Sequence, residues 1–297
     1  VDAYLVHRST TVESGTLKAN RTALNSLRHY LSPSAPLDLL SSEVVQAFVE
    51  QRLGEGYEPT TLETYVAGIS GFATWVGIPD LRRGVHLPNR GRTDVRTWEP
   101  EEIERLRTAA SKLDAEGLRS DSPSYRLALE TALATGARRN ELFALRWRHF
   151  DPLTYTVRIQ QQLVEDRKRF KPLKGKRGRT AVVMPELWPL YPGDSAQLVL
   201  PGRAHGPFTA PLRLLNRLLD AAGLNECGVG WHSFRHTYSR RFLEEGGSLE
   251  QLQKSLGHAK IRTTEDVYGH LREDVAARMA VEHIYRNQPL RVISGEG

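Results

Sequence analysis

The sequence predicts a mainly α-helical protein with a small antiparallel β-sheet, divided into two units by a basic linker. Three observations carry this. Apolar residues recur at helical spacing on both sides of a polar stretch from Pro79 to Thr97. That stretch is punctuated by Pro and Gly, holds Arg82, Arg83, Arg90, Arg92 and Arg96, and keeps no apolar period, as a linker does. Around Tyr155, Val157 and Ile159, and again around Ala181 and Val183, the pattern switches to alternation. The expected division is a helical unit over residues 1–80, a linker over 81–96 and a larger unit over 97–297.

The elements follow in order. Leu17, Leu24, Leu27 and Leu31 share one helical stripe, which ends before Pro33. Val44, Val45, Phe48, Val49 and Leu53 make a second, closed by Gly54 and Gly56. A third starts at Thr60 and Glu63, spaced as in a capping box, and turns Leu62, Tyr65, Ile69, Phe72 and Val76 inward. Residues from about 11 to 76 thus read as one helical bundle. Beyond the linker a helix begins near Pro100, with Ile103, Leu106, Ala110 and Leu113 on one face. Another runs from about Ser124 to Thr135 and stops at Gly136. Residues 138–145 read as the next short helix. A sheet hairpin follows, carrying the lysine-rich run. Further helices are expected over 212–222, 233–244, 249–256 and 274–284.

The hydrophobic share, 39%, is enough for real cores, and no stretch approaches the roughly 20 apolar residues of a membrane span. No basic stretch followed by an apolar run opens the chain, so no secretory leader is expected. One cysteine, Cys227, excludes an internal disulfide framework and a cysteine-rich zinc site, and points to a reducing compartment. The net charge of +6 is modest, but it is clustered. Besides the linker arginines, Arg167, Lys168, Arg169, Lys171, Lys174, Lys176, Arg177 and Arg179 lie close together. Such clusters suit a polyanion. A merely solvated charge run would look the same.

The chemistry is concentrated in a few short strings. Thr135-Gly136-Ala137-Arg138-Arg139-Asn140-Glu141-Leu142 comes first. Trp231-His232-Ser233-Phe234-Arg235-His236-Thr237 follows, then Leu256-Gly257-His258 and, ten residues after that histidine, Tyr268. Guanidinium forks match the nonbridging oxygens of a phosphate. Histidines or a lysine can move protons to a departing oxygen. A tyrosine can attack phosphorus and hold the bond energy in a covalent ester. Together these residue types form a phosphoryl-transfer set that needs no metal.

These segments resemble those of the tyrosine recombinases, the phage-integrase family. The Thr135 string, continued through Leu145-Arg146-Trp147, is similar to that family's first arginine box. His232-Ser233-Phe234-Arg235-His236-Thr237 is similar to its His-x-x-Arg box. Leu256-Gly257-His258 with Tyr268 is similar to its terminal box, in the variant with one extra residue before the tyrosine. Lys174, in Pro172-Leu173-Lys174-Gly175-Lys176, resembles the lysine of the sheet hairpin. The likeness is dense over 98–271 and looser over the N-terminal helices, which resemble a core-binding, SAM-like domain.

The resemblance implies a two-domain DNA clamp, with a helical core-binding domain and a catalytic domain of the tyrosine-recombinase type. Its activity would be site-specific cleavage and rejoining of DNA through a 3′-phosphotyrosine. Arg138 and Arg235 would hold the scissile phosphate, Tyr268 would attack it, and Lys174 would protonate the leaving 5′ oxygen. His258 would hydrogen-bond the phosphate, and His232 would act in proton transfer. Glu141 would be structural. Arg82, Arg83, Arg90, Arg92, Lys171, Lys176, Arg177 and Arg179 are the expected contacts to DNA. The partners implied are double-stranded recombination sites, a homotetramer on two synapsed duplexes and accessory DNA-bending proteins, with no membrane and no cofactor. The tail from Arg272 onward would pack on a neighbouring subunit. A bacterial or phage-encoded, cytoplasmic, nucleoid-associated enzyme is expected. The stretch ahead of the first helical stripe leaves little room for an arm-site-binding domain.

Plainer readings exist for each residue taken singly. Arg138 could be a surface charge, Arg235 and His232 a hydrogen-bonded core pair, His258 a helix end, and Tyr268 a core aromatic. Lys171 and Lys176 lie within reach of the alignment that selects Lys174. His232 and His236, four apart, could share a helix face as zinc ligands do. Against that, no His-Glu-x-x-His string occurs, and Arg235 would repel a cation. The enzymatic alternatives are a Xer-like resolvase, ranked behind a mobile-element integrase, and a type IB topoisomerase. A DNA-binding protein without chemistry would leave the tyrosine set unexplained.

Overall fold

The structure is a computed structural model that describes residues 1–32, 34–78, 80–88, 95–117, 122–164, 169–173, 178–225 and 229–269. The chain divides into two compact units, Val1–Thr93 and Asp94–Gly297.

The first unit is a helical bundle of α1 (Asp2–Thr11), α2 (Ser14–Leu31), α3 (Ser42–Gly54) and α4 (Pro59–Trp75). The predicted stripes of α2, α3 and α4 meet in one core around Leu24, Leu27, Val45, Phe48, Leu62 and Ile69. Ser41 caps α3, its hydroxyl accepting from the Val44 N–H at 3.3 Å. The start of α4 differs from the expected capping box. Glu58 is the N-cap and makes no side-chain cap bond, and Pro59 takes the first turn, where its missing N–H costs nothing. Thr60 is therefore already inside the helix. α1 is an addition to the expected set. It buries Tyr4 and Leu5, and the Tyr4 ring packs against Phe72 at 5.5 Å and Trp75 at 5.6 Å.

The second unit is built from α5 (Pro100–Ala115), α6 (Tyr125–Thr135), α7 (Arg139–Leu142), α8 (Pro211–Ala222), α9 (Trp231–Glu244) and α10 (Leu249–Leu256). A further helix, α11, covers 261–269. The strands are β1 (Phe150–Asp151), β2 (Thr156–Ile159), β3 (Gln161–Leu163), β4 (Phe170–Pro172) and β5 (Arg179–Val182). The expected single small sheet is instead two. β1, β2 and β5 form one antiparallel sheet, and β3 and β4 a separate hairpin. Gln160 separates them. Its side-chain amide turns to His149 Nε2 at 3.2 Å, and its carbonyl accepts from the Leu173 N–H. The hairpin carries Lys171 opposite Gln162. Residues 174–177, with Lys174, Lys176 and Arg177, lie outside the described residues, as does the helix expected over 274–284.

The helix expected over 138–145 is also shorter, ending at Leu142. Beyond it the Leu145 carbonyl accepts from Val199, and the Trp147 N–H donates to Gln197, so the buried chain leaves helix to pair with the 195–199 segment. Trp98 docks on α9: its indole N–H donates to Ser233 and its backbone N–H to Thr237, both at 2.8 Å, and its ring stacks on Phe234. α9 thereby sits at a fixed height in the core.

Gly136 ends α6 in the left-handed region, at φ 57°, and a Cβ there would lie 2.4 Å from the buried Tyr238 ring. Gly136→Ala combines a left-handed backbone penalty with overpacking. It should lower stability by about 2–4 kcal/mol. Urea unfolding of the variant checks this, and a loss under ~0.5 kcal/mol would contradict it.

Candidate active site

Arg235 lies one turn into α9. The helix starts at Trp231, whose indole N–H donates to the Pro211 carbonyl at 2.9 Å, so the next turn points inward with Phe234 and Tyr238. The Arg235 guanidinium is almost fully enclosed, at 2% exposure. Nη1 donates to the Gly136 carbonyl and Nη2 to the Leu256 carbonyl, both at 2.8 Å. Nη2 also reaches His258 Nε2 at 3.0 Å. A guanidinium only donates, so Nε2 accepts and the His258 proton sits on Nδ1. Nδ1 in turn donates to the buried Thr264 hydroxyl at 2.9 Å. The end of α6, the end of α10 and the start of α11 thus converge on one arginine.

His258 is presented by a glycine turn. α10 opens with a full capping box between Ser248 and Gln251 and closes at Gly257, φ 68°. A Cβ at Gly257 would lie 2.6 Å from Arg179 Cδ. That close approach lets Arg179 Nε donate to the Ser255 carbonyl at 2.8 Å.

Arg138 precedes α7 and is bound through Glu141. The Glu141 carboxylate accepts the Arg138 backbone N–H at 2.9 Å and its Nη1 at 3.2 Å. The same carboxylate takes both arms of Arg179, at 2.9 and 2.6 Å. The Arg138 side chain keeps 41% exposure, while those of Arg179 and Glu141 are 8% and 4% exposed. Arg179 was expected on DNA. Its fork is instead committed to Glu141 and Ser255 beneath the site, because a buried carboxylate draws the nearest fork inward. It is a support of the site and not an open phosphate contact.

Tyr268, on α11, is 1% exposed, and its hydroxyl lies 2.7 Å from His236 Nδ1. The His236 ring meets the His232 ring edge-on, centroids 5.4 Å apart, and His232 is exposed. The sequence places His236 inside the His-x-x-Arg string and one helical turn beyond His232 on the same face, without a role of its own. Among the described residues, no three His, Cys, Asp or Glu side chains gather as metal ligands would.

The Glu141 carboxylate bonds Arg138 and Arg179 and also acts through space on Arg235. Burial pushes the Glu141 carboxyl up, but the Arg179 fork, aided by Arg138, overrides this and holds it below the usual range. Burial, then Arg138 and Arg179, works against the charge of Arg235. Burial and the arginine cations push His258 down to about 4. Burial, then His232 and Arg235, push His236 down to about 4 as well. His232 is lowered by partial desolvation and by Arg235 and Arg138, against the pull of Glu141. Burial raises the Tyr268 phenol, opposed by Ser239 and by Arg235 and Arg138. At neutral pH the histidines are uncharged and the tyrosine is a phenol.

Of the expected residues, Arg235 and His258 are in direct contact, and Arg138, His232 and Tyr268 act on the same electrostatic cluster. Arg82 and Arg83 belong to the other unit, exposed, each near a carboxylate: Glu63 at 3.8 Å and Asp80 at 3.5 Å. Lys171 lines a shallow polar concavity with Arg158, Gln160 and Phe170. Arg90 and Arg92, like Lys174, Lys176 and Arg177, lie outside the described residues.

Comparison with known proteins bears on this geometry. The sequence model described as "Phage integrase family" matches residues 96–274. A tyrosine recombinase XerD of Caulobacter vibrioides is 32% identical over 275 residues, covering 86% of each chain. A tyrosine recombinase XerC of Xanthomonas campestris pv. campestris is 27% identical, covering 91% of this chain and 84% of its own. Among solved structures, the Tn1549 transposon integrase in complex with transposon right end DNA superposes with a TM-score of 0.66. It is 17% identical and covers 95% of this chain and 97% of its own. The XerH site-specific recombinase bound to its difH substrate in a post-cleavage complex gives a TM-score of 0.62. It is 17% identical and covers 90% of this chain and 80% of its own.

Proposed function

The chain belongs to the phage integrase family and is a site-specific tyrosine recombinase acting on DNA, and from this premise we propose how its residues divide the work. Tyr268 attacks the scissile phosphate and becomes joined to the 3′ side of the break. Arg138 and Arg235 hold the nonbridging oxygens, and His258, whose Nε2 accepts from Arg235, fixes that guanidinium in place. The released 5′ hydroxyl of a partner strand later attacks the phosphotyrosine and restores the backbone. The observation that carries this reading is the convergence of Arg235, His258, Arg138 and Tyr268, with Arg235 bonded to His258, Arg138 fixed by Glu141 and the Tyr268 phenol buried beside His236. Fixed guanidinium donors favour the transition state of phosphoryl transfer, where negative charge grows on the nonbridging oxygens.

Lys174 donates the proton to the leaving 5′ oxygen, a role that rests on the resemblance of the Pro172–Lys176 string. The N-terminal helical unit is the core-binding domain, and the stretch around Arg82, Arg83, Arg90 and Arg92 touches DNA phosphates. Lys171, Lys176 and Arg177 contribute further phosphate contacts. Four copies hold two duplexes, and the enzyme works in a bacterial cytoplasm. Among the described residues no helix is long and apolar enough to cross a membrane. The XerD and XerC likenesses favour the Xer-like branch as a second reading beside an integrase of a mobile element.

The test is cleavage of a nicked DNA duplex that traps the covalent intermediate. A protein–DNA adduct should form in excess EDTA. Lys174→Ala should block it on ordinary DNA and recover it when the 5′ bridging oxygen is replaced by sulfur, a leaving group that needs no proton. Lys171→Ala and Lys176→Ala should need no such rescue. An adduct that requires added metal, or rescue confined to Lys176→Ala, would overturn the corresponding assignment.

A further inference from the structure

We propose that His236 accepts the phenolic proton of Tyr268 as the tyrosine attacks phosphorus, and returns it when the strand is rejoined. The inference rests on reading Tyr268 as the nucleophile. Its ground is the contact of 2.7 Å between His236 Nδ1 and the Tyr268 hydroxyl. The geometry is that of a general base, a nitrogen within hydrogen-bond reach of the proton it removes. α9 places His236 one residue beyond Arg235, so the base and the phosphate-holding arginine are set by the same helical turn.

The surroundings leave His236 free to accept a proton. An acceptor must be unprotonated at rest, and burial with the neighbouring His232 and Arg235 keeps His236 neutral. The Ser239 hydroxyl, which bonds the Arg235 carbonyl at 2.8 Å, also opposes the rise in the Tyr268 phenol. In this role Nδ1 accepts from the phenol, and the neutral imidazole carries its hydrogen on Nε2. His232, the histidine the family resemblance assigns to proton transfer, meets His236 ring to ring and is exposed. Tyr268, His236 and His232 thus step from a buried phenol to a solvent-facing ring. In the forward step the Tyr268 oxygen–phosphorus bond forms and the bond from phosphorus to the 5′ oxygen breaks. The phenolic proton moves to His236, and the 5′ oxygen takes its proton from Lys174. The reverse step returns both. A bound phosphate would stabilise the resulting imidazolium and offset Arg235, which together with burial and His232 disfavours it in the free enzyme.

His236→Asn retains a hydrogen-bond acceptor close to the position of Nδ1 but cannot take up a proton. In single-turnover cleavage of the nicked duplex at saturating DNA, it should slow adduct formation by about 10²-fold or more, in the range of general-base catalysis. DNA affinity should stay within a few-fold, which also reports an intact fold. Replacing Tyr268 by a fluorinated tyrosine, which ionises more readily, should shrink that deficit. In the wild-type enzyme the ¹⁵N spectrum of His236 should show the tautomer protonated on Nε2. A wild-type adduct at Tyr268 formed equally fast by His236→Asn overturns the role of His236 alone, as does a deficit unmoved by fluorination or a tautomer protonated on Nδ1. A wild-type adduct on a different tyrosine overturns the nucleophile reading and this proposal with it.

Discussion

Replacing Arg235 by lysine should slow DNA cleavage by at least about 10²–10³-fold, the scale of losing a fixed donor to a developing oxyanion. Lysine keeps the charge and loses the fork. The Arg235 guanidinium bonds the Gly136 carbonyl, the Leu256 carbonyl and His258 at once. An ammonium cannot serve all three and still present donors to phosphate. Leaving even one buried carbonyl short of a donor costs about 1–3 kcal/mol, so the variant should also lose stability. Arg138→Lys should behave differently. That side chain is 41% exposed and is anchored by Glu141 alone among the bonds described. It should lose cleavage to a similar degree and keep nearly all of its stability. Single-turnover cleavage and urea unfolding of both variants separate the two. Equal stability losses would contradict the distinction drawn from burial.

Glu141→Gln should be the most destabilising single change near the site. The carboxylate neutralises two arginines, and the Arg179 partner is enclosed with it. Removing one member of a buried pair leaves the other charged and unpaired, which costs about 3–5 kcal/mol. The loss should carry a pH signature. The folded-state pKa of Glu141 is depressed. Its stabilisation is therefore fully present above the ordinary carboxyl value of 4.5 and is lost as pH falls through the depressed one. The stability gap between wild type and variant should be widest near neutrality and should narrow in acid. A gap that stays constant down to pH 3 would mean that the ion pair is not its source. Cleavage should fall as well, because Glu141 orients both Arg138 and the Arg179 that braces the turn before His258.

What the sequence made legible follows its local periods. The stripes of α2, α3 and α4 sit in the core as their spacing predicts, and Gly136 and Gly257 end their helices in the left-handed region. α1 escaped because it presents only Tyr4 and Leu5 to the core, too few to set a period. The strand region read as one hairpin because alternation cannot reveal that Gln160 turns toward His149 and splits it. In the site, the boxes marked Arg138, Arg235, His258 and Tyr268, which meet in one cluster. The two surprises both depend on pairing across the fold. Arg179 looks like any other residue of a basic run until Glu141, 38 positions away, claims it. His236 looks like a zinc partner of His232 until α11 brings Tyr268 to it. A residue's type and local spacing are written in the string, whereas its partner is chosen by packing.

The central claim is that Tyr268 becomes covalently bonded to DNA. Its most direct test is mass-spectrometric mapping of the protein–DNA adduct formed on a nicked duplex, for the wild type and for Tyr268→Phe. A single adduct should appear on the peptide containing Tyr268. Tyr268→Phe should abolish it while binding DNA within a few-fold of the wild type, because only the buried hydroxyl is lost. An adduct on another tyrosine, or undiminished cleavage by Tyr268→Phe, would contradict the account.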